Sequence, residues 1–145
     1  MAWLLDINVL IARVDPAHEF HALVCRWLKQ HRNAPLVTCP LTENGFLRIY
    51  GHPNYPGGPG SPEAARRDLL VIRNLPTHQF LTDSVSLGES TRFPSLEGVS
   101  PKQLTDLYLL ALAAANGIRF ATFDQGIPVD LVSDGRRALE VISVK

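Results

Sequence analysis

The sequence predicts an α/β domain with a mainly parallel central sheet flanked by helices. Three observations carry that expectation. Short apolar runs suited to buried strands alternate with longer segments at helical spacing, the pattern of strand–helix–strand units. Residues 100–117 form a helix with both ends marked: Ser100, Pro101 and Gln103 make a capping-box start and Gly117 a C′ stop. Between them Leu104, Leu107, Tyr108, Leu110, Ala111, Leu112 and Ala114 are apolar almost all round, as in a helix laid against a sheet. Finally, the 145 residues are 46% hydrophobic, with no repeat and no shift of composition. One domain spanning 1–145 with a sizeable core is therefore expected.

In chain order, residues 2–6 read as a short buried strand ending in Asp6, followed by a short helix over 7–14. Asp15-Pro16 opens a second helix to about His31, with Phe20, Leu23, Val24, Trp27 and Leu28 on one face. Leu36–Cys39 is the second strand, and Pro40 opens a helix running to Tyr50. Residues 51–60 hold so much Pro and Gly that they are loop. Ser61-Pro62-Glu63 caps a fourth helix ending near Leu75. Gln79–Thr82 is a weak third strand, and 83–99 is expected to hold a short helix and a loop. Ile118–Asp124 is the fourth strand, 125–137 is turn-rich, and Ala138–Val144 alternates as a last strand.

Several classes are set aside. The longest near-continuous apolar run, Leu107–Ala115, is far short of the roughly 20 residues of a bilayer crossing. The start, Met1–Asp6, has no basic region and no long apolar segment, so no secretory leader is expected. Cys25 and Cys39 show neither metal spacing nor a disulfide framework, and both read as small core residues in a reducing cytoplasm. Charge is balanced, 14 basic against 14 acidic, which does not mark a nucleic-acid binder. If four acids gather in one pocket, 14 basic against 10 acidic remain, which permits RNA without arguing for it.

The chemical signal is acids in apolar segments. Asp106 is a poor helix former inside an apolar helix, and a lone buried carboxylate costs roughly several kcal/mol unless compensated. Asp6 and Asp124 end strands, and Glu43 lies in the first turn after the second strand. A parallel sheet with right-handed crossovers puts strand ends and following helix starts on one edge. Asp6, Glu43, Asp106 and Asp124 are thus expected to converge. Singly, such acids favour a helix dipole or start a turn. Together they repel, and a divalent cation, Mg2+ or Mn2+, resolves the repulsion with oxygen ligands, waters and substrate phosphate. Asn8, two residues after Asp6, and Thr122, two before Asp124, are candidate supporting polar groups.

Leu-Leu-Asp6-Ile-Asn8, Thr42-Glu43-Asn44-Gly-Phe-Leu-Arg, Leu104-Thr-Asp106-Leu-Tyr-Leu-Leu-Ala-Leu-Ala and Ala-Thr122-Phe-Asp124 resemble the PIN domain, and more narrowly the VapC toxins of bacterial toxin–antitoxin pairs. The resemblance covers essentially the whole chain. It implies an Mg2+- or Mn2+-dependent endoribonuclease that cuts RNA such as tRNA or rRNA and stops translation. It also implies inhibition by a VapB-type antitoxin, whose C-terminal segment lies across the active-site groove, and a homodimer. By motif position, Asp6, Glu43, Asp106 and Asp124 carry over as the catalytic acids, with Asp6, Asp106 and Asp124 holding metal. Two positions depart from the family: Asn8 stands where Thr or Ser is common, and Gln103 where His is common.

Rival readings remain. A haloacid-dehalogenase-like phosphatase also begins with an Asp after strand one, but needs a second Asp where Asn8 stands. A metal-free ribonuclease would use paired histidines, and His18 and His21 share a helical face. A non-catalytic PIN-like RNA-binding module would have no use for four intact acids. For RNA contact the candidates are Arg13, Arg48, Arg66, Arg67, Arg92 and Arg119, with Tyr55 of the loop to stack a base.

Overall fold

The first strand, β1 (Trp3–Leu5), is buried along its whole length and forms the centre of a five-stranded sheet. The computed structural model describes residues 1–144. Around β1 lie β2 (Leu36–Thr38), β3 (His78–Phe80), β4 (Arg119–Thr122) and β5 (Leu139–Val141), in the order β3-β2-β1-β4-β5, every pair parallel. The helices are α1 (Ile7–Val14), α2 (His21–Gln30), α3 (Pro40–Tyr50), α4 (Pro62–Arg73), α5 (Leu104–Ala115) and α6 (Gly135–Ala138).

The chain winds outward from β1 to β3, then crosses back over β1 to β4 and β5. Right-handed crossovers then put α1–α4 on one face and α5 and α6 on the other. The core divides accordingly. Leu5, Leu10, Val24, Trp27, Phe46 and Ile72 fill one face, and Leu4, Val37, Leu107, Leu110, Phe120 and Val132 the other. Leu4 and Leu5 fall in different clusters because strand side chains alternate.

The well-marked helix begins with a 3-10 turn at Pro101–Gln103 before α5 proper. Its capping box is present: the Ser100 amide donates to Gln103 Oε1 at 3.0 Å. Gly117 stops it at φ +67°, a left-handed conformation that favours glycine. Gly45 has a different function. A Cβ there would lie 2.3 Å from Ile7 Cδ1, so the glycine lets α3 press against α1.

Three local expectations are corrected. The helix after Asp15-Pro16 starts only at His21, because side chains capture the intervening amides. Asp15 Oδ1 accepts the Ala17 N–H and His18 Nδ1 the Phe20 N–H, each at 3.0 Å, and such bonds compete with helix formation. Residues 83–99 hold no helix; turns there are closed by Ser86, Glu89 and Ser95 side chains accepting nearby amides. Of the cysteines, Cys39 is buried but Cys25 is exposed on α2, and both are free thiols. Among the described residues, no helix is long and apolar enough to cross a membrane.

The Pro/Gly-rich loop 51–60 is anchored by Tyr55. Its hydroxyl donates to Asp15 Oδ2 at 2.6 Å, and its ring meets Tyr50 edge-on with centroids 5.1 Å apart. Asp15 is only 7% exposed, so its carboxylate needs these partners. Tyr55 therefore serves to anchor its own loop. Burial, then the bond to Asp15, pushes the Tyr55 hydroxyl pKa up. Tyr55→Phe is expected to cost about 1–3 kcal/mol, the scale of a hydrogen bond lost to a buried charged group. Thermal melting reads this as a fall of several degrees.

Candidate active site

The direction of winding reverses between β1 and β4, and open α/β sheets place their sites beyond the strand ends at such a point. An open cavity of about 270 Å³ lies there, lined by Asp6, Asn8, Arg48, Lys102, Asp106 and Asp124 among others. A larger hollow of about 500 Å³, beside Trp3 and His31, has no acidic side chain in its lining.

Asp6 links strand to helix. Its amide donates to the Ala121 carbonyl at 3.0 Å, extending the ladder one residue past β1. Its carboxylate then caps α1: Oδ1 accepts the Ile7 N–H and Oδ2 the Thr122 hydroxyl, each at 2.7 Å. Asp6 is 7% exposed. Burial pushes its pKa up, the two hydrogen bonds pull against that, and the charge of Asp124 adds to the rise.

Thr122 closes β4 and faces both acids. While donating to Asp6, it accepts the Asp124 N–H at 3.1 Å. Asp124 is exposed, with Oδ1 accepting the Gly126 N–H at 2.7 Å. Asp106, in the first turn of α5, completes the group. Burial, the charge of Asp6, and the hydrogen bonding and charge of Asp124 push its pKa up to about 7. Asp106 thus keeps its proton to a higher pH than an isolated carboxylate does. Asn8 is exposed and shares the cavity lining.

Glu43 is placed elsewhere. Its Oε2 accepts the Thr38 hydroxyl at 2.7 Å and the Arg73 guanidinium at 2.5 Å, and it is not in the cavity lining. Thr38 also meets His78 Nε2 at 2.8 Å. The expected gathering of four acids is therefore three, because the α4 arginine holds the fourth on the β2–β3 side. Among the arginines, only Arg48 lines the cavity. Arg66 and Arg119 are paired with Glu63 and Glu140 at 2.7 and 3.2 Å. His18 and His21 bond to backbone groups of Phe20 and Ala12, so neither is poised against the other.

Lys102 is a cavity residue that sequence reasoning did not assign to this site. The usable signal was its position: a cation in the first turn of a helical segment opposes the helix dipole and so invites another explanation.

The donor set suits a hard divalent cation. All donors are carboxylate oxygens, one acid is fixed by two hydrogen bonds, and the shared charge lacks compensation within the cluster. Among the described residues, no three His, Cys, Asp or Glu side chains enclose a metal position on their own. Mg2+ does not need that, since it is usually held by one or two carboxylates with waters and substrate oxygens.

No protein-family profile matches the chain. It is 39% identical over 125 residues to Ribonuclease VapC38 of Mycobacterium tuberculosis, covering 86% of each chain. It is also 39% identical over 132 residues to Ribonuclease VapC44 of the same organism, covering 91% of this chain and 92% of the relative. Ribonuclease VapC39, again from that organism, is 35% identical over 127 residues, 88% of this chain and 91% of its own. Identity at that level is sustained across nearly the full length of both partners, on a parallel sheet with acids at its reversal point. The chain therefore belongs to the VapC family of PIN-domain ribonucleases.

Proposed function

We propose that this VapC-family ribonuclease is the toxin of a VapBC-type pair and cuts RNA such as tRNA or rRNA with Mg2+ or Mn2+. The observation that supports this best is the convergence of Asp6, Asp106 and Asp124 on one cavity that also carries Arg48 and Lys102. When bound, the metal would compensate the acids, make a water nucleophilic at neutral pH and stabilise charge on the phosphate. The chain's own contributions are orientation and positioning. Thr122 and the Ile7 amide fix the Asp6 carboxylate, and the Gly126 amide fixes Asp124. Asp106, the acid whose pKa burial and its neighbours raise, would give up its proton as the cation compensates the cluster. Arg48 and Lys102 supply backbone contacts, which position RNA without reading its sequence. Glu43, assigned to the catalytic set by resemblance, is read here as held in reserve by Arg73.

Inhibition by a VapB-type antitoxin lying across this cavity, homodimerisation and a cytoplasmic location belong to the same reading. The deciding experiment incubates the purified protein with total tRNA and rRNA in Mg2+, in Mn2+ and in EDTA. Discrete cleavage products in either metal and none in EDTA are expected. Equal cleavage in EDTA would overturn the metal-dependent mechanism. Growth arrest on expression, relieved by the product of the adjoining gene, checks the toxin role separately.

A further inference from the structure

A ledge of three aromatic rings borders the acidic cavity. Phe123 sits in the chain between Thr122 and Asp124 and lines the cavity with them. Its ring packs on Phe20, with centroids 4.7 Å apart and 39° between planes. It also stacks on the His18 imidazole at 6.2 Å and 30°. His18 and Phe20 are 5.9 Å apart, and all three side chains are partly exposed. The imidazole is held in place, because its Nδ1 accepts the Phe20 amide. Together with the Asp15 bond to the Ala17 amide, this bond keeps these residues out of α2, so the turn that shortens the helix also builds the ledge.

We propose that this ledge stacks an unpaired RNA base next to the phosphate that enters the acidic cavity. The inference rests on the ribonuclease reading above and adds a substrate contact to it. Stacking platforms beside basic side chains are how single-stranded RNA is held, because every base presents a π-face while the backbone needs cations. Here Phe123 joins the two parts: one edge of the platform and the carboxylate cavity with Arg48 and Lys102 share this residue. Rings fixed at such a position suit a splayed base from a loop or single strand and have no surface to offer a base inside a duplex.

The test uses a cleavable RNA oligonucleotide and two derivatives, each with an abasic nucleotide on one side of the scissile phosphate. With the wild-type chain, one derivative is expected to raise KM about tenfold, the scale of one stacked base, while kcat changes far less. With Phe20→Leu and with His18→Ala, each checked by thermal melting, that penalty is expected to fall below about twofold. His18→Ala removes one ring together with its bond to the Phe20 amide, and His18→Asn, whose side chain can still accept that amide, keeps the turn while removing the ring. An equal abasic penalty in wild type and the variants, or none in wild type, overturns the ledge and leaves the ribonuclease standing. Absence of cleavage of any RNA by the wild-type chain overturns the reading beneath it.

Discussion

Asp6→Ala, Asp106→Ala and Asp124→Asn are each expected to lower kcat/KM for RNA cleavage by at least about 10³-fold, the scale of several kcal/mol of lost charge stabilisation. Each removes one carboxylate from the shared cavity. The folded state should survive. Asp6→Ala loses an N-cap worth about 1 kcal/mol, but also removes a buried charge whose pKa burial has raised. Asp106→Ala removes a poor helix former from α5. Glu43→Gln is the contrast. Because Glu43 bonds Thr38 and Arg73 away from the cavity, it should lower Tm and reduce cleavage by less than about tenfold. A loss as deep as that of Asp124→Asn would show that Glu43 leaves Arg73 and joins the reaction when RNA binds. Initial rates and melting curves on the same preparations decide between these outcomes.

In EDTA, stability should fall as pH rises, with Asp106 titrating near neutrality and the raised pKa of buried Asp6 acting in the same direction. The pKa of Asp106 is about 7 in the folded chain against an ordinary 3.8. Between those values the folded state binds more protons than the unfolded state, so the slope of stability with pH is negative. The contribution is fully present below about pH 4 and lost as pH rises through 7. Asp106→Asn removes the titration while keeping the shape. Its Tm advantage over the wild type should therefore grow by several degrees between about pH 4 and pH 8 and level off beyond. Mg2+ at pH 8 should raise the wild-type Tm and narrow that gap. A pH-independent difference between the two proteins would mean that the acids do not share their charge in solution.

Much of the fold was legible because the deciding physics is local. Trp3–Leu5 and Phe120–Thr122 are short, apolar and continuous, as strands covered on both faces must be. Ser100, Gln103 and Gly117 mark their helix through bonds and φ values within a few residues. Placing Asp6, Asp106 and Asp124 on one edge needed only the crossover rule, and the topology supplies it. Less legible was whatever depends on a competition. Apolar periodicity showed which residues between 16 and 31 face the core, but not that Asp15 and His18 would capture the amides of residues 17 and 20. The direction of Glu43 was not legible for a longer-range reason: its carboxylate meets Arg73, thirty residues later on another helix. Lys102, conceivable from sequence only as the downstream lysine of the phosphatase alternative, was not assigned to the acidic site because a single lysine at a helix start carries almost no pattern of its own.

Thr122 has a consequence for how the protein tolerates motion. A hydroxyl has one hydrogen to give, and Thr122 gives it to Asp6 while receiving one from the amide of Asp124. One oxygen atom therefore gauges the gap between the tips of two neighbouring strands. A slip of β1 along β4 would stretch this bridge and shift Asp6 relative to Asp124, although the Ile7 and Gly126 amides still hold each carboxylate locally.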